Sequence, residues 1–411
     1  MRAGLLGERL GHSYSPQIHA FFGDYSYDLF EVAPEKLDSF MRGDDFDALN
    51  VTIPYKRAVM PYCAQLTDAA RKIGSVNTLV RRADGTLLGD NTDAAGFTAM
   101  LRRLNMDPAG KKALVLGSGG ASLTVRYVLS ALGAREVIVV SRKGENNYQN
   151  LDRHADAELM VNATPVGMFP NCGISPVDLK TLPNLSAVLD IIYNPARTRL
   201  LMDAEALGIP CLGGLTMLVE QARAAAERFL GASISEELAR QAHAAVLRDT
   251  QNIVLIGMPG CGKSTLAAAL ARLTGREAVD ADELIARECG TSIPEYFAEH
   301  SEDEFRGVET AVLSKICARS GLIIATGGGC VTRPENRDIL RQNGKVFYIR
   351  RDLKLLPTAN RPLSQAAPLE EMFARRAPLY QAFADTEIEN GDTVEIVAGK
   401  IWEVFNEITC D

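Results

Sequence analysis

Short apolar runs alternate along the chain with stretches whose apolar residues recur at helical spacing. Two runs stand out because a glycine-rich turn and then a helical pattern follow each. The first is Ala113–Leu116, followed by GSGGAS (117–122) and VRYVLSALG; the second is Ile253–Ile256, followed by GMPGCGKST (257–265) and LAAALARL. Each predicts a strand, a phosphate-binding turn and a helix. Further buried strands are expected at VIVV (137–140), LMVNAT (159–164), AVLDII (187–192), LIIATGGG (322–329) and KVFYI (345–349). Continuous runs of this kind suit parallel sheets covered on both faces. The first 95 residues differ: AGLLG, YDLFEV, ALNVTIP and VNTLVRR read as strands between helical stretches. Residues 215–247 are Ala-rich and helical, only RDTQN separates them from Ile253, and the tail GDTVEIVAGKIWEVFNEI reads as a last strand and helix.

Length turns this pattern into a domain estimate. At about 150 residues per domain, 411 residues suggest two or three. With 46% hydrophobic and 23% charged residues the chain is not disordered, and its 34 Gly and 18 Pro follow no short period. The net charge of −8 argues against nucleic acid or an anionic membrane surface as partner. That charge divides as −2 over residues 1–250 and −6 over 251–411, so an anionic substrate must be held by local groups in either half. Eight cysteines are scattered with no CxxC pair, which suggests free thiols in a reducing cytoplasm. The N-terminal MRAGLLGERLGHSYS lacks a signal-peptide core, and no run of 18 apolar residues predicts a membrane span.

In the first half, Gly117, Ser118, Gly119, Gly120 and Ala121 form a dinucleotide-binding signature, in which glycines let the backbone approach a pyrophosphate at a helix N-terminus. An NAD site usually carries an acidic residue after the next strand. Ser141, Arg142 and Lys143 stand there instead, and a basic pair suits the 2′-phosphate of NADP.

The segments GHSYSPQIH (11–19), NVTIPYK (50–56), GSVNT (74–78), GDNTDAAGF (89–97), NATPVGM (162–168), IYNPARTRLL (192–201) and GGLTMLVEQA (213–222) follow one another in order. The series resembles the shikimate dehydrogenase family over nearly all of residues 1–247. The resemblance implies NADPH-dependent reduction of 3-dehydroshikimate, with Lys56 as acid/base and Asp93 as its partner. The chemistry is sound unaided, since ketone reduction needs a proton donor near the developing alkoxide and a carboxylate can keep a lysine charged and oriented. The resemblance further assigns the substrate carboxylate to Ser13 and Ser15, other substrate contacts to Thr52, Asn77, Tyr193 and Gln221, and the nicotinamide end to Thr164, Ile191 and Gly214. Asp68 matches an acidic cofactor-contacting position. The chain departs from the family in GSGGA for GAGGA, Ser141-Arg142-Lys143 for Asn-Arg-Thr, and Ala20 for the Asn after the HSxSPxIH run.

In the second half, GMPGCGKS (257–264) is a complete P-loop. Backbone N–H groups of Gly260, Cys261 and Gly262 are expected to cradle phosphates, Lys263 to reach the β/γ oxygens, and Ser264, beside Thr265, to ligate Mg²⁺. VDADELI (279–285) places Asp280 and Asp282 on one side if extended, one for Mg²⁺ and the other for a substrate hydroxyl. EFRGVE (304–309), ATGGGCV (325–331), NRPL (360–363) and RRAPLY (375–380) complete a set that resembles shikimate kinase over 251 to about 385. The resemblance makes Asp282 the base at the acceptor hydroxyl, leaving Asp280 to the metal. It gives the substrate to Arg306, Gly328 and Arg376, and places Arg361 in a lid over ATP.

The expectation is an α/β chain of three lobes and two active sites. Residues 1–95, completed by helices in 215–247, form a substrate lobe; 96–214 form a Rossmann-type NADP lobe; 251–411 form a P-loop kinase domain with a parallel sheet. NADP(H), ATP and Mg²⁺ are the expected cofactors, and shikimate made by one half is the substrate of the other. A homodimer is compatible with the sequence. Two rivals remain: one half as a non-catalytic regulatory module, and quinate in place of shikimate for the dehydrogenase.

Overall fold

The computed structural model describes residues 1–11, 13–356 and 369–410. The chain divides into two compact units, one of Met1–Tyr193 with Thr198–Val246 and one of Asn194–Arg197 with Leu247–Asp411. Both are α/β, and among the described residues no helix is long and apolar enough to cross a membrane.

The first unit begins with a six-stranded mixed sheet: β1 (Arg2–Gly7), β2 (Ser26–Glu31), β3 (Ala48–Val51), β4 (Cys63–Leu66), β5 (Thr78–Arg81) and β6 (Leu87–Asp90), in the order β2-β1-β3-β5-β6-β4. β1 runs parallel to β2 and β3, while β5 is antiparallel to both β3 and β6. That reversal matters for the site. Thr78 pairs with Asn50 on one side and with Asp90 on the other. The end of β3, the start of β5 and the end of β6 therefore meet at one edge, which brings together Thr52, Lys56, Asn77 and Asp93. Four of these strands match runs seen in the sequence; β4 and β6 are short additions.

The second sheet of this unit is wholly parallel: β7 (Lys112–Leu116), β8 (Glu136–Val140), β9 (Leu159–Asn162), β10 (Ala187–Asp190) and β11 (Cys211–Leu212), in the order β11-β10-β9-β7-β8. Alternate residues feed two cores. Val115, Val161 and Leu189 pack with Phe97, Met100 and Val125, while Leu114, Met160 and Val188 pack with Leu185 and Leu200. Both faces are thus covered, as unbroken apolar strands require. The GSGGA turn follows β7 where the strand order departs in opposite directions, the usual ligand position in such sheets. Helix Leu215–Leu230 then returns to the first sheet, packing Ala225 and Phe229 with Ala3 and Ala48.

The second unit is a parallel sheet of β12 (Asn252–Ile256), β13 (Ala278–Asp280), β14 (Ile323–Ala325), β15 (Gly344–Arg350) and β16 (Thr386–Glu389), in the order β13-β14-β12-β15-β16. Helix Lys263–Thr274 follows β12 directly behind the P-loop. Two expectations are corrected here. The last strand is TEIE, ahead of GDTVEIV, and the helix already starts at Val394, because Val397, Ala398, Ile401 and Phe405 bury at helical spacing. Asp282 is not on an extended segment: β13 ends at Asp280, which caps helix Ala281–Cys289 by accepting the Asp282 N–H.

Candidate active sites

A cavity of about 240 Å³ opens at the edge of the first sheet. Ser13, Ser15, Thr52, Lys56, Asn77, Asp93, Tyr193 and Gln221 line it, as do Ala121, Ile191 and Gly214 from the cofactor side. Lys56 Nζ donates to Asp93 Oδ2 at 2.6 Å, and the two side chains are 28% and 13% exposed. Asn77 Nδ2 donates to the other Asp93 oxygen at 2.9 Å and lies 3.4 Å from Gln221 Oε1. Its Oδ1 accepts the Thr92 N–H at 2.7 Å, fixing the turn that presents Asp93. A partly shielded ammonium held by an oriented carboxylate can give or take a proton at a substrate oxygen. Asn50, which the sequence reading did not single out, also lines the cavity and accepts the Tyr27 hydroxyl at 2.8 Å.

A second cavity of about 550 Å³ lies over the ends of β7–β9. Gly117, Ser118, Gly119, Ser141, Arg142 and Thr164 line it, together with Tyr148, another residue the sequence did not mark. Gly117 has φ +102°, and a Cβ there would stand 2.9 Å from the Ala163 carbonyl. This is a cradle that only glycine forms, and with Arg142 at its rim it fits a phosphorylated dinucleotide. Gly120 opens the helix Gly120–Ala131 behind the turn. Lys143 and Asp68 line neither cavity; Asp68 is exposed and paired with Arg71 at 3.1 Å.

In the second unit the P-loop wraps the Lys263 ammonium, which donates to the carbonyls of Gly257 at 2.9 Å and Met258 at 3.0 Å. Gly260, Cys261 and Gly262 form the loop ahead of it. Ser264 Oγ donates to Asp280 Oδ2 at 2.6 Å. A hydroxyl and a carboxylate this close, beside a phosphate loop, fit a Mg²⁺ that keeps most of its ligands as water and phosphate oxygen. A third cavity of about 140 Å³ is lined by Gly262 and Thr265 and by Arg351, Asn390 and Val394. Asn390 Nδ2 donates to the Cys261 carbonyl at 2.7 Å, tying the chain after β16 to the P-loop.

The helix Glu302–Cys317 starts in a capping box of Ser301 and Glu304 and carries Arg306 inward. Arg306 binds Glu309 Oε2 at 2.7 Å and Glu302 Oε1 at 3.2 Å. Arg376 donates to the Gly328 carbonyl at 3.2 Å, and Tyr380 donates to the same oxygen. The Nε atoms of both arginines are buried without a hydrogen-bond partner among the described residues. Two guanidinium groups with an orphaned donor each, one on the Gly328 carbonyl and the other against Gly329, suit a carboxylate ligand. Glu309 is wholly buried, and its Oε1 is likewise unpartnered. Burial pushes its carboxyl above the usual range and Asp282 adds to this, while Arg306 opposes it. Gly327 leaves room for both acids: a Cβ there would lie 2.6 Å from Asp282 Oδ1 and 2.8 Å from Glu309 Oε1. Arg361 lies outside the described residues.

Comparison with known proteins finds a relative for each unit. The family described as shikimate dehydrogenase substrate binding domain matches residues 5–79, and shikimate kinase matches residues 259–406. The shikimate dehydrogenase (NADP(+)) of Synechocystis is 37% identical over 271 aligned residues, covering 58% of this chain and 93% of that protein. A crystal structure of a chorismate mutase/shikimate 5-dehydrogenase fusion protein from Clostridium acetobutylicum superposes with a TM-score of 0.57 at 37% identity, covering 60% of this chain and 96% of that one. The shikimate 5-dehydrogenase of Thermus thermophilus, in complex with NADP(H) and shikimate, superposes with a TM-score of 0.54 at 32% identity, covering 59% of this chain and 99% of that one.

Proposed function

Because the chain belongs to the shikimate dehydrogenase family and carries a shikimate kinase domain behind it, it is a bifunctional shikimate-pathway enzyme, and we propose that it reduces 3-dehydroshikimate to shikimate with NADPH and phosphorylates the shikimate 3-hydroxyl with MgATP. The Lys56–Asp93 contact carries the reading. It sits in a cavity whose other walls offer Ser13 and Ser15 on one side and Ile191 and Gly214 on the other.

When bound, NADPH supplies the hydride for the carbonyl carbon and MgATP supplies the transferred phosphoryl group. In the first unit the Lys56 ammonium gives its proton to the oxygen as negative charge develops there. Asp93 keeps the ammonium aimed, and Asn77 keeps Asp93 aimed. Ser13 and Ser15 hold the substrate carboxylate through neutral hydroxyls, which suits the −2 balance of this half. Arg142 meets the cofactor 2′-phosphate from the rim of the second cavity.

In the second unit Asp282 takes the proton of the attacking hydroxyl, while Arg306 and Arg376 hold the substrate carboxylate beside Gly328. Lys263 exchanges its two backbone carbonyls for phosphate oxygens. Ser264 would hold Mg²⁺ with its hydroxyl and Asp280 would support it through water. The third cavity, between Thr265, Arg351 and Val394, receives the adenine. The scattered cysteines, without a CxxC pair, are the support for a reducing cytoplasm as the location.

The test is a pair of separate assays on the purified chain. NADPH oxidation should require 3-dehydroshikimate, and ADP release should require shikimate. A chain that shows one activity without the other would leave the inactive half with a regulatory rather than a catalytic role.

A further inference from the structure

Two strands of the parallel sheet end side by side, and each feeds one cavity. β9 leads into Ala163 and Thr164, which line the cofactor cavity; β10 leads into Ile191 and Tyr193, which line the substrate cavity. Between them lies Asp190, wholly buried. Its Oδ1 accepts the Ile192 N–H at 3.0 Å and Asn162 Nδ2 at 3.1 Å; its Oδ2 accepts the Thr198 hydroxyl at 2.7 Å. Asn162, also wholly buried, continues the chain: its Oδ1 accepts the Thr164 N–H at 3.0 Å and the Thr164 hydroxyl at 2.7 Å. One carboxylate thus holds the backbone beyond β10 directly and the backbone beyond β9 through one amide.

We propose that Asp190 is a positioning residue for hydride transfer, fixing Thr164, in the cofactor cavity, against Ile191, on the cofactor side of the substrate cavity. The proposal rests on the dehydrogenase reading above. A buried carboxylate is costly unless fully hydrogen-bonded, so a site that only needed packing would be filled by an apolar side chain. All three groups that face Asp190 are donors, and none is charged. A carboxyl group meets all three at once, two on one oxygen and the Thr198 hydroxyl on the other. An apolar side chain of similar size meets none of them and releases both strand ends. Misplacing the reactants by an ångström costs hydride transfer far more than it costs folding.

The experiment compares the wild type with Asp190→Leu, which keeps the volume and removes both acceptor oxygens, in the full chain. The expected result is a rise of roughly tenfold in KM for NADPH, as a misplaced reactant predicts. The deuterium isotope effect on kcat from NADPH labelled at the transferred position should also grow, because hydride transfer becomes more rate-limiting. Shikimate binding without cofactor should change less than KM for NADPH, since Ser13, Ser15 and Lys56 belong to the first sheet's lobe and only Tyr193 follows β10. A merely structural role would lower thermal stability and the active fraction while leaving KM and the isotope effect alone; that result overturns the proposal. Should Asp190→Leu fail to fold, Thr198→Val removes one donor and keeps the carboxylate. It should raise KM for NADPH roughly threefold, as the loss of one hydrogen bond does, and an unchanged KM overturns the proposal. A wild type that fails to oxidise NADPH with 3-dehydroshikimate counts against the dehydrogenase reading instead.

Discussion

The Lys56 ammonium and the Asp93 carboxylate, 37 positions apart in sequence, stand 2.6 Å apart, and Asn77 holds the second carboxylate oxygen at 2.9 Å. The contact arises from sheet topology: antiparallel β5 brings the ends of β3 and β6 to one edge. Lys56→Ala should lower the dehydrogenase kcat by about 10²–10⁴, the range for a lost general acid. Asp93→Asn should do the same by a smaller factor, because the lysine remains. ADP formation from shikimate should be unchanged in both. Steady-state assays of each half-reaction check this, and a Lys56→Ala enzyme with a wild-type kcat would remove Lys56 from the mechanism.

Glu309 offers a sharper test of the kinase site, since it is wholly buried and holds Arg306 at 2.7 Å. Glu309→Gln exchanges a charge-assisted bond to a buried arginine for a neutral one. Losses of this kind raise KM for shikimate by about 10- to 100-fold. KM for ATP should stay within about twofold, an effect no larger than that of a surface change. Equal rises in both constants would mean that Glu309 supports the domain as a whole rather than Arg306.

Arg142 lines the cofactor cavity, whereas Lys143 does not. Arg142→Ala should raise KM for NADPH by roughly tenfold, the cost of a lost ion-paired hydrogen bond, and leave KM for NADH nearly unaltered. Lys143→Ala should change neither greatly. A Lys143 effect exceeding that of Arg142 would reverse the assignment.

His19 sets the acid limit of the first unit. It is buried, stacked on Tyr27 at 4.1 Å, and burial pushes its pKa down to about 3 from 6.5. The unfolded chain takes up a proton at this residue near pH 6.5 and the folded chain does not, so folded stability falls as pH drops from about 6.5 toward 3. The slope from this group is about 1.4 kcal/mol per pH unit. Asp190 acts in the opposite sense over a narrower window. Burial raises its carboxyl from 3.8 to about 6, so its contribution is present below pH 3.8 and lost as pH rises through 6. Thermal melts of the wild type and His19→Gln across about pH 4–7 check the balance, and the variant should show the shallower acid decline.

What the sequence made legible was chemistry carried by contiguous residues. The P-loop, the GSGGA turn, Lys56 and the NTD turn each announce a local geometry. What stayed hidden depends on packing between distant segments. Asn50 and Tyr148 join their cavities only through the folded sheets. Asn390 reaches the P-loop from 129 positions away. Glu309 looks in sequence like any acid on a helix, though its spacing of three from Arg306 is the one signal available. The tail was misread because TVEIV has strand composition, while its apolar residues recur at helical spacing with the ones that follow. Asp282 moved onto a helix because Asp280 is a good N-cap, a signal present in VDADE but outweighed by its alternation.

The most direct measurement supplies the purified chain with 3-dehydroshikimate, NADPH and MgATP, and follows NADPH oxidation, ADP release and the product by mass spectrometry. One NADPH consumed and one ADP formed per shikimate 3-phosphate is the predicted result. Shikimate accumulating without ADP, or no NADPH consumption at all, would contradict it.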